Sequence, residues 1–188
     1  MNRYRPAPHI IRRRRIALLV VLALLTWGIW SGVSAILGLF SGGGKQTPTI
    51  SACAPGVVSV TAVAGDGEKH QDAFPNGVKP YIWFTLVNNG KVACKFNAAP
   101  ATQFFRIKTG EQVIWTSEQC DRAGLKDNDE IVLKPGVPKD SPRGQWFRVY
   151  SSGGGCGEGQ APAFVGTYTL QAEVNKVLSS NIESFDLQ

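Results

Sequence analysis

The sequence predicts an all-β domain, a two-sheet sandwich of about eight or nine strands, preceded by one N-terminal transmembrane helix. Three observations predict it. Residues 16–40 contain no charged side chain. Beyond residue 50, short runs of β-branched and aromatic residues are separated by Gly, Pro and Asn punctuation, the pattern of strands joined by turns. In that same region no apolar pattern at helical period lasts longer than two turns.

The chain of 188 residues is expected to divide into a basic cytoplasmic tail (1–15), a signal-anchor (16–40), a flexible tether (41–50) and an extracytoplasmic domain (51–188). In the tail, Arg12, Arg13, Arg14 and Arg15 stand directly before the apolar segment, and the positive-inside rule keeps such an end in the cytoplasm. The same arginines can contact anionic headgroups, each near-surface charge contributing about 1 kcal/mol. At about 1.5 Å per helical residue the anchor reaches roughly 37 Å, more than a hydrocarbon core of about 30 Å. A cleavable signal peptide is the alternative, with Val33-Ser34-Ala35 as its small-residue triplet. Against it, the apolar run continues to Phe40, and Trp27 and Trp30 place bulk where cleavage regions are small. The tether is rich in Gly, Ser and Pro and has a reach of roughly 15 to 18 Å. These segments place the chain at the cell membrane as a single-pass protein, N-terminus inside and domain outside.

Charge divides at the anchor. The formal net charge is +6, from 20 basic and 14 acidic residues. Six of the basic residues are arginines of the tail, so fourteen basic residues face fourteen acidic ones beyond it, a balance of zero. A nucleic-acid partner would need a basic face on the folded domain, and none is expected. The cysteines follow the same division. Cys53, Cys94, Cys120 and Cys156 all lie beyond the anchor, where an even number is usually a disulfide set, with free buried thiols as the alternative. Their gaps of 41, 26 and 36 residues do not suit zinc, which takes ligands in close pairs.

Taken in order, residues 57–63 (VVSVTAV) place Val58, Val60 and Ala62 on one face of a strand. Residues 65–77 are polar and read as a loop. Residues 81–87 (YIWFTLV) are almost continuously apolar, as a central strand covered on both faces would be, and end at the turn signal Asn88-Asn89-Gly90. Residues 91–97 are then expected to return as the next strand, with Cys94 inside it. Residues 103–108 and 112–116 flank Thr109-Gly110-Glu111 as a hairpin, and Trp115 belongs in the core. Residues 130–134 form a strand before Pro135-Gly136, and residues 146–150 (WFRVY) read as another. Residues 151–159 form a glycine-rich loop holding Cys156. Residues 167–174 alternate as a strand, and residues 181–187 supply a last one.

Four phrases in this order, Phe84-Thr85-Leu86-Val87-Asn88-Asn89-Gly90, Glu111-Gln112-Val113-Ile114-Trp115, Leu133-Lys134-Pro135-Gly136 and Gly166-Thr167-Tyr168-Thr169-Leu170, resemble the landmarks of the intracellular proteinase inhibitor (BsuPI-like) immunoglobulin-type sandwiches. The resemblance covers about residues 80–175 and implies an immunoglobulin-like architecture. Inhibitory activity is not carried over, because the family's namesake is cytosolic and does not rely on disulfides. Anchor, tether and four cysteines together also resemble a group of single-pass envelope proteins of high-GC Gram-positive bacteria. That resemblance implies Cys53 paired with Cys94 and Cys120 with Cys156, one of three connectivities. Each closed loop would contribute roughly 3 to 4 kcal/mol by the chain-entropy model.

No residue constellation amounts to a reaction centre. His70 reads as a solvated loop histidine, and the acidic cluster Asp127-Asn128-Asp129-Glu130 lacks the rest of a calcium loop. The glycine-rich stretches lack the phosphate-binding arrangement. Trp83, Trp115 and Trp146 are expected in the core or a hydrophobic seam rather than on a stacking surface. No cofactor and no metal are expected. The function expected is a non-enzymatic binding or scaffold domain of the envelope, engaging a protein or wall partner outside the membrane. The alternatives are an inhibitor of an exported protease, presenting residues 117–129 or 151–159, and a wall-acting hydrolase.

Overall fold

The computed structural model describes residues 49–188 apart from Gly154. The tail with Arg12–Arg15, the signal-anchor and all but the last two residues of the tether lie outside the described residues. Among the described residues no helix is long and apolar enough to cross a membrane.

Ile50–Gln188 forms one unit built from strands β1 (Val58–Gly65), β2 (Ala73–Phe74), β3 (Tyr81–Asn88), β4 (Cys94–Asn97), β5 (Gln103–Thr109), β6 (Gln112–Thr116), β7 (Glu130–Leu133), β8 (Lys139–Asp140), β9 (Gly144–Gln145), β10 (Gly166–Val174), β11 (Val177–Leu178) and β12 (Glu183–Leu187). Helical structure among the described residues is limited to the 3-10 turns Pro100–Thr102 and Ser117–Gln119. One sheet sets β1 against β3, with β8 and β9 on the far edge of β3. A second runs β2-β12-β10-β5-β6, with β11 attached to β10, and β4 pairs with β7 as a separate ribbon. Neighbours are antiparallel except for β2 and β12. The expected all-β, multi-sheet architecture is therefore present, with the short pieces β2, β8, β9 and β11 raising the strand number above the eight or nine expected.

Alternation explains the longer strands. In β1, Val58, Val60, Ala62 and Ala64 are buried while Ser59, Thr61 and Val63 are half-buried. In β10, Tyr168, Leu170, Ala172 and Val174 point into the core between the sheets. There they meet Phe84, Leu86, Ile107 and Phe185, each side chain withdrawn from water contributing roughly 1.5 to 3 kcal/mol. The β5–β6 hairpin closes through Gly110 and Glu111, with Thr109 opposite Gln112. Gly110 has φ +54°, which its missing Cβ permits.

Two strand expectations are corrected. Residues 146–150 are not a strand. Arg148 sits at φ 56°, which bends the chain out of extended geometry. Trp146 is fully buried, its Nε1 donates to the Val149 carbonyl at 3.0 Å, and its ring packs edge-on against Tyr168 and Phe185. The run is apolar because it is a core plug. Residues 91–97 do not return along β3 either, since only β4 is extended and it pairs with β7. The cause is Asn88, fully buried, whose Nδ2 donates to the carbonyls of Val92 and Leu133 while Oδ1 accepts from Gly90 N–H. The chain is thereby drawn off the sheet toward β7.

Covered on both faces describes β3 only at Trp83, which is buried on the outer side beneath the Arg143 guanidinium, 5.0 Å from the ring. Gly65 makes room for it. A Cβ there would lie 2.6 Å from the indole and 2.0 Å from the Lys69 carbonyl.

The free edge of β1 is closed by one backbone bridge and by side chains rather than by a full strand. Ser180 N–H donates to the Val60 carbonyl at 2.9 Å. Asn181 then accepts from Ala62 N–H at 2.8 Å and donates to the Ala62 carbonyl at 2.9 Å. Glu183 Oε1 accepts from Ala64 N–H at 3.3 Å. The segment after β11 thus seams the two sheets along one side, leaving the opposite side to loops.

Candidate binding flank

That opposite side is where β6 ends the second sheet. An uncovered edge strand offers unpaired N–H and C=O groups to other chains. Here the glycine-rich loop after Tyr150 takes them up. Ser151 N–H donates to the Ile114 carbonyl at 2.9 Å, Ser151 Oγ accepts from Thr116 N–H at 2.9 Å, and Trp115 Nε1 donates to the Cys156 carbonyl at 2.8 Å. Cys156 is bonded to Cys120, with Cα atoms 4.9 Å apart, so the loop is fastened to the segment leaving β6. The two loops that the protease-inhibitor alternative would present are thus covalently joined on one flank. At the other pair, Cys53 is bonded to Cys94 with Cα atoms 4.8 Å apart. This bond fixes the first residues of the unit to β4, beside the bonds from Cys53 N–H to the Lys95 carbonyl and from Lys95 N–H to the Ser51 carbonyl.

Residues 117–129 are held by Arg122. Its guanidinium donates to the carbonyls of Ser117, Pro100, Ala101 and Gln103 at 3.0 to 3.3 Å and lies 4.5 Å above the Phe104 ring. One side chain so gathers the loop onto the start of β5. Arg106 on β5 bridges Glu118 at 2.5 Å and Glu173 at 3.0 Å. Burial works against the Arg106 charge, and the hydrogen bonds it donates to Glu173 and Glu118 outweigh it, so its pKa stands above the ordinary value.

Between the β8 edge of the first sheet and the 3-10 turn before β5 opens a cleft of about 220 Å³, reached by this loop at Asp129. Phe84, Leu86 and Ile131 form its apolar floor, Pro100 and Gln103 one wall, and Lys139 with Asp140 the other. Asp140 is held by Thr85 Oγ1 at 2.7 Å and by Arg143 at 3.0 Å, and Lys139 and Asp129 stand exposed at the rim. The space suits one bulky apolar side chain of a partner, with hydrogen-bonding groups along the rim. A rigid loop next to a ready-made pocket loses little conformational entropy on association.

The remaining candidates from the sequence are placed elsewhere. His70 Nε2 meets Glu183 Oε1 at 2.8 Å, so the loop before β2 is tied to the β1 seam. Among the described residues no group of three or more His, Cys, Asp or Glu side chains could hold a metal ion. Asp129 N–H is bonded by Asn97 Oδ1 and the Asp127 carbonyl by Asn97 Nδ2, so the acidic cluster serves as a turn docked on β4. Trp115 and Trp146 are core residues. Arg122 and the cleft were not foreseen from the sequence. The cleft walls come from segments up to 58 residues apart, from Phe84 to Pro142, and a lone arginine in a polar loop carries no local mark.

No protein-family model matches this sequence, and no curated protein matches it. Solved structures give remote likenesses. A β-glucosidase from Erythrobacter marinus shares 11% identity at TM-score 0.39, over 70% of this chain and 15% of its own. The alkylpurine DNA glycosylase AlkC of Pseudomonas fluorescens shares 14% at TM-score 0.40, over 73% of this chain and 32% of its own. The CARDB domain of the PF1109 protein from Pyrococcus furiosus shares 15% at TM-score 0.31, over 74% of this chain and 91% of its own. The chain spans less than a third of the two enzymes, and at these TM-scores none of the three carries an argument. Fold and site define a class, an all-β sandwich-type domain braced by two disulfides.

Proposed function

We propose that this chain is a membrane-anchored, extracytoplasmic binding domain of the bacterial envelope, immunoglobulin-like in architecture and non-enzymatic. Residues 16–40 hold it in the membrane with the arginine tail inside, and the domain recognises a protein or cell-wall partner. The observation that carries this is the flank on which Cys120–Cys156 joins two loops, the first of which reaches the apolar cleft at Asp129. Two disulfides with no free cysteine among the described residues suit an oxidising compartment, in keeping with export. The test places a photoactivatable side chain at Leu125, exposed on the loop, and at Val165, exposed beyond the flank, in the full chain in intact cells. A covalent adduct from Leu125 and none from Val165 is expected. Equal adducts, or none from Leu125, would count against the flank.

A second reading, inhibition of an exported protease, is favoured by one observation. Arg122 braces residues 117–129 from within, as an inhibitory loop needs if it is to resist cleavage. Incubating the full chain with exported proteases should then slow peptide hydrolysis, and Arg122→Ala should turn the loop into a substrate. Unchanged hydrolysis across the panel removes this reading and leaves the first.

A further inference from the structure

The end of the domain at which the described chain begins carries a surface that the flank does not use. Three turns meet there. Asn89 N–H donates to the Val57 carbonyl at 2.8 Å, and Gly136 N–H donates to the Asn88 carbonyl at 2.8 Å. Residues 89–92 and the β7–β8 loop therefore stand side by side, next to residues 54–57. On the other side of residues 54–57, the β10–β11 turn Asn175-Lys176 borders a hollow of about 460 Å³ shared with Pro55 and Gly56.

The tips of these turns combine two side-chain types. Val92 is 72% exposed and Val137 53%. Lys91, Lys134 and Lys176 are exposed and make no ion pair among the described residues. The acidic groups nearby leave this excess in place. Glu130 is matched by Lys95 at 3.3 Å, and Asp127 and Asp129 lie beyond Asn97 on the side of the flank. The opposite end of the sandwich also exposes apolar residues, Phe164 and Val165, but the arginine there, Arg148, is turned onto the carbonyls of Pro75, Val78 and Gln188.

We propose that the end bearing Lys91, Val92, Lys134, Val137 and Lys176 docks on an anionic lipid surface. The lysines reach headgroup phosphates and the two valines enter the interfacial layer. Bilayer interfaces reward this pairing, because near-surface lysines are attracted to anionic lipid while small apolar tips leave water. The proposal rests on the anchoring proposed above, since a tether of this length, reaching roughly 15 to 18 Å, keeps this end within range of headgroups. Docking would orient the flank sideways from the membrane rather than leaving the domain to tumble on its tether.

The experiment uses the full chain in lipid discs, one set of phosphatidylcholine and one of equal parts phosphatidylcholine and phosphatidylglycerol. A headgroup-labelled paramagnetic lipid is added, and valine methyl signals are read by nuclear magnetic resonance. In the anionic discs the Val92 and Val137 signals should be lost while Val165 is retained. The triple variant Lys91→Gln, Lys134→Gln, Lys176→Gln should restore them, with the remaining spectrum unchanged as evidence of intact folding. High salt should restore them too. Equal attenuation of Val92, Val137 and Val165 overturns the docking while leaving anchoring intact. A chain that does not co-elute with either disc overturns anchoring, and the docking with it.

Discussion

The seam along β1 can be tested by a single amide. Asn181 satisfies both backbone groups of Ala62, a residue with no exposed surface, accepting at 2.8 Å and donating at 2.9 Å. Asn181→Ala leaves a buried N–H and a buried C=O without partners, each costing about 1 to 3 kcal/mol. Water can reach the half-buried position of Asn181 and recover part of this, so the expected loss is about 2 to 4 kcal/mol. For a domain of this size that lowers the melting temperature by roughly 8 to 16 °C. Asn181→Asp keeps the acceptor but sets a carboxylate oxygen against the Ala62 carbonyl, so it is not expected to rescue. The assay is urea unfolding of the full chain in detergent, followed by tryptophan fluorescence, with the slope against urea unchanged. A midpoint for Asn181→Ala within about 0.5 kcal/mol of the parent, or a fully stable Asn181→Asp, would refute the two-bond seam.

Three further outcomes follow from the same contacts. Trp146→Phe removes the donor to the Val149 carbonyl and part of a fully buried ring, and thermal melting should register a loss of about 2 to 3 kcal/mol. The double variant Cys120→Ser, Cys156→Ser opens a 36-residue loop. By loop entropy it should lose roughly 3 to 4 kcal/mol, and by freeing the β6 edge it should associate on size-exclusion chromatography, whereas a stable monomer would contradict the edge-cover role. Asp66 accepts from Lys69 N–H and Glu68 N–H, which hold its carboxyl below the ordinary value of 3.8. A depressed pKa means that its stabilisation is present above pH 3.8 and is lost as pH falls through the lower folded value. Amide shifts of Glu68 and Lys69 should therefore move with a midpoint below 3.8.

What the sequence reveals follows the range of the forces. β1 and β10 are written in alternation that needs only the pleat, β3 in a nearly continuous apolar run, and β5 and β6 in the two runs flanking the Gly110 turn, a residue that tolerates φ +54°. The β10–β11 turn was missed because Asn175 and Lys176 both take positive φ, 47° and 67°, without the glycine that usually marks such a hairpin. WFRVY reads as a strand because burial, not extension, selects its residues, and the bend at Arg148 leaves no compositional trace. β2 pairs through two residues, too few for alternation. The flank is half legible. Loop polarity and the cysteines point to residues 117–129 and 151–159, but Arg122 and the cleft depend on carbonyls and walls brought from other strands. The Asn181 seam joins residues 119 apart in sequence, beyond the range of any local pattern.

The measurement that bears most directly on an exported, disulfide-braced binding domain is thiol labelling of the full chain in intact cells. Cells are treated with a membrane-impermeant reductant and then an impermeant maleimide polymer. The account predicts no labelling before reduction, and after it a mobility shift for each of Cys53, Cys94, Cys120 and Cys156 without lysis. Thiols that label only after the cells are opened, or that are free before any reductant is added, would contradict it.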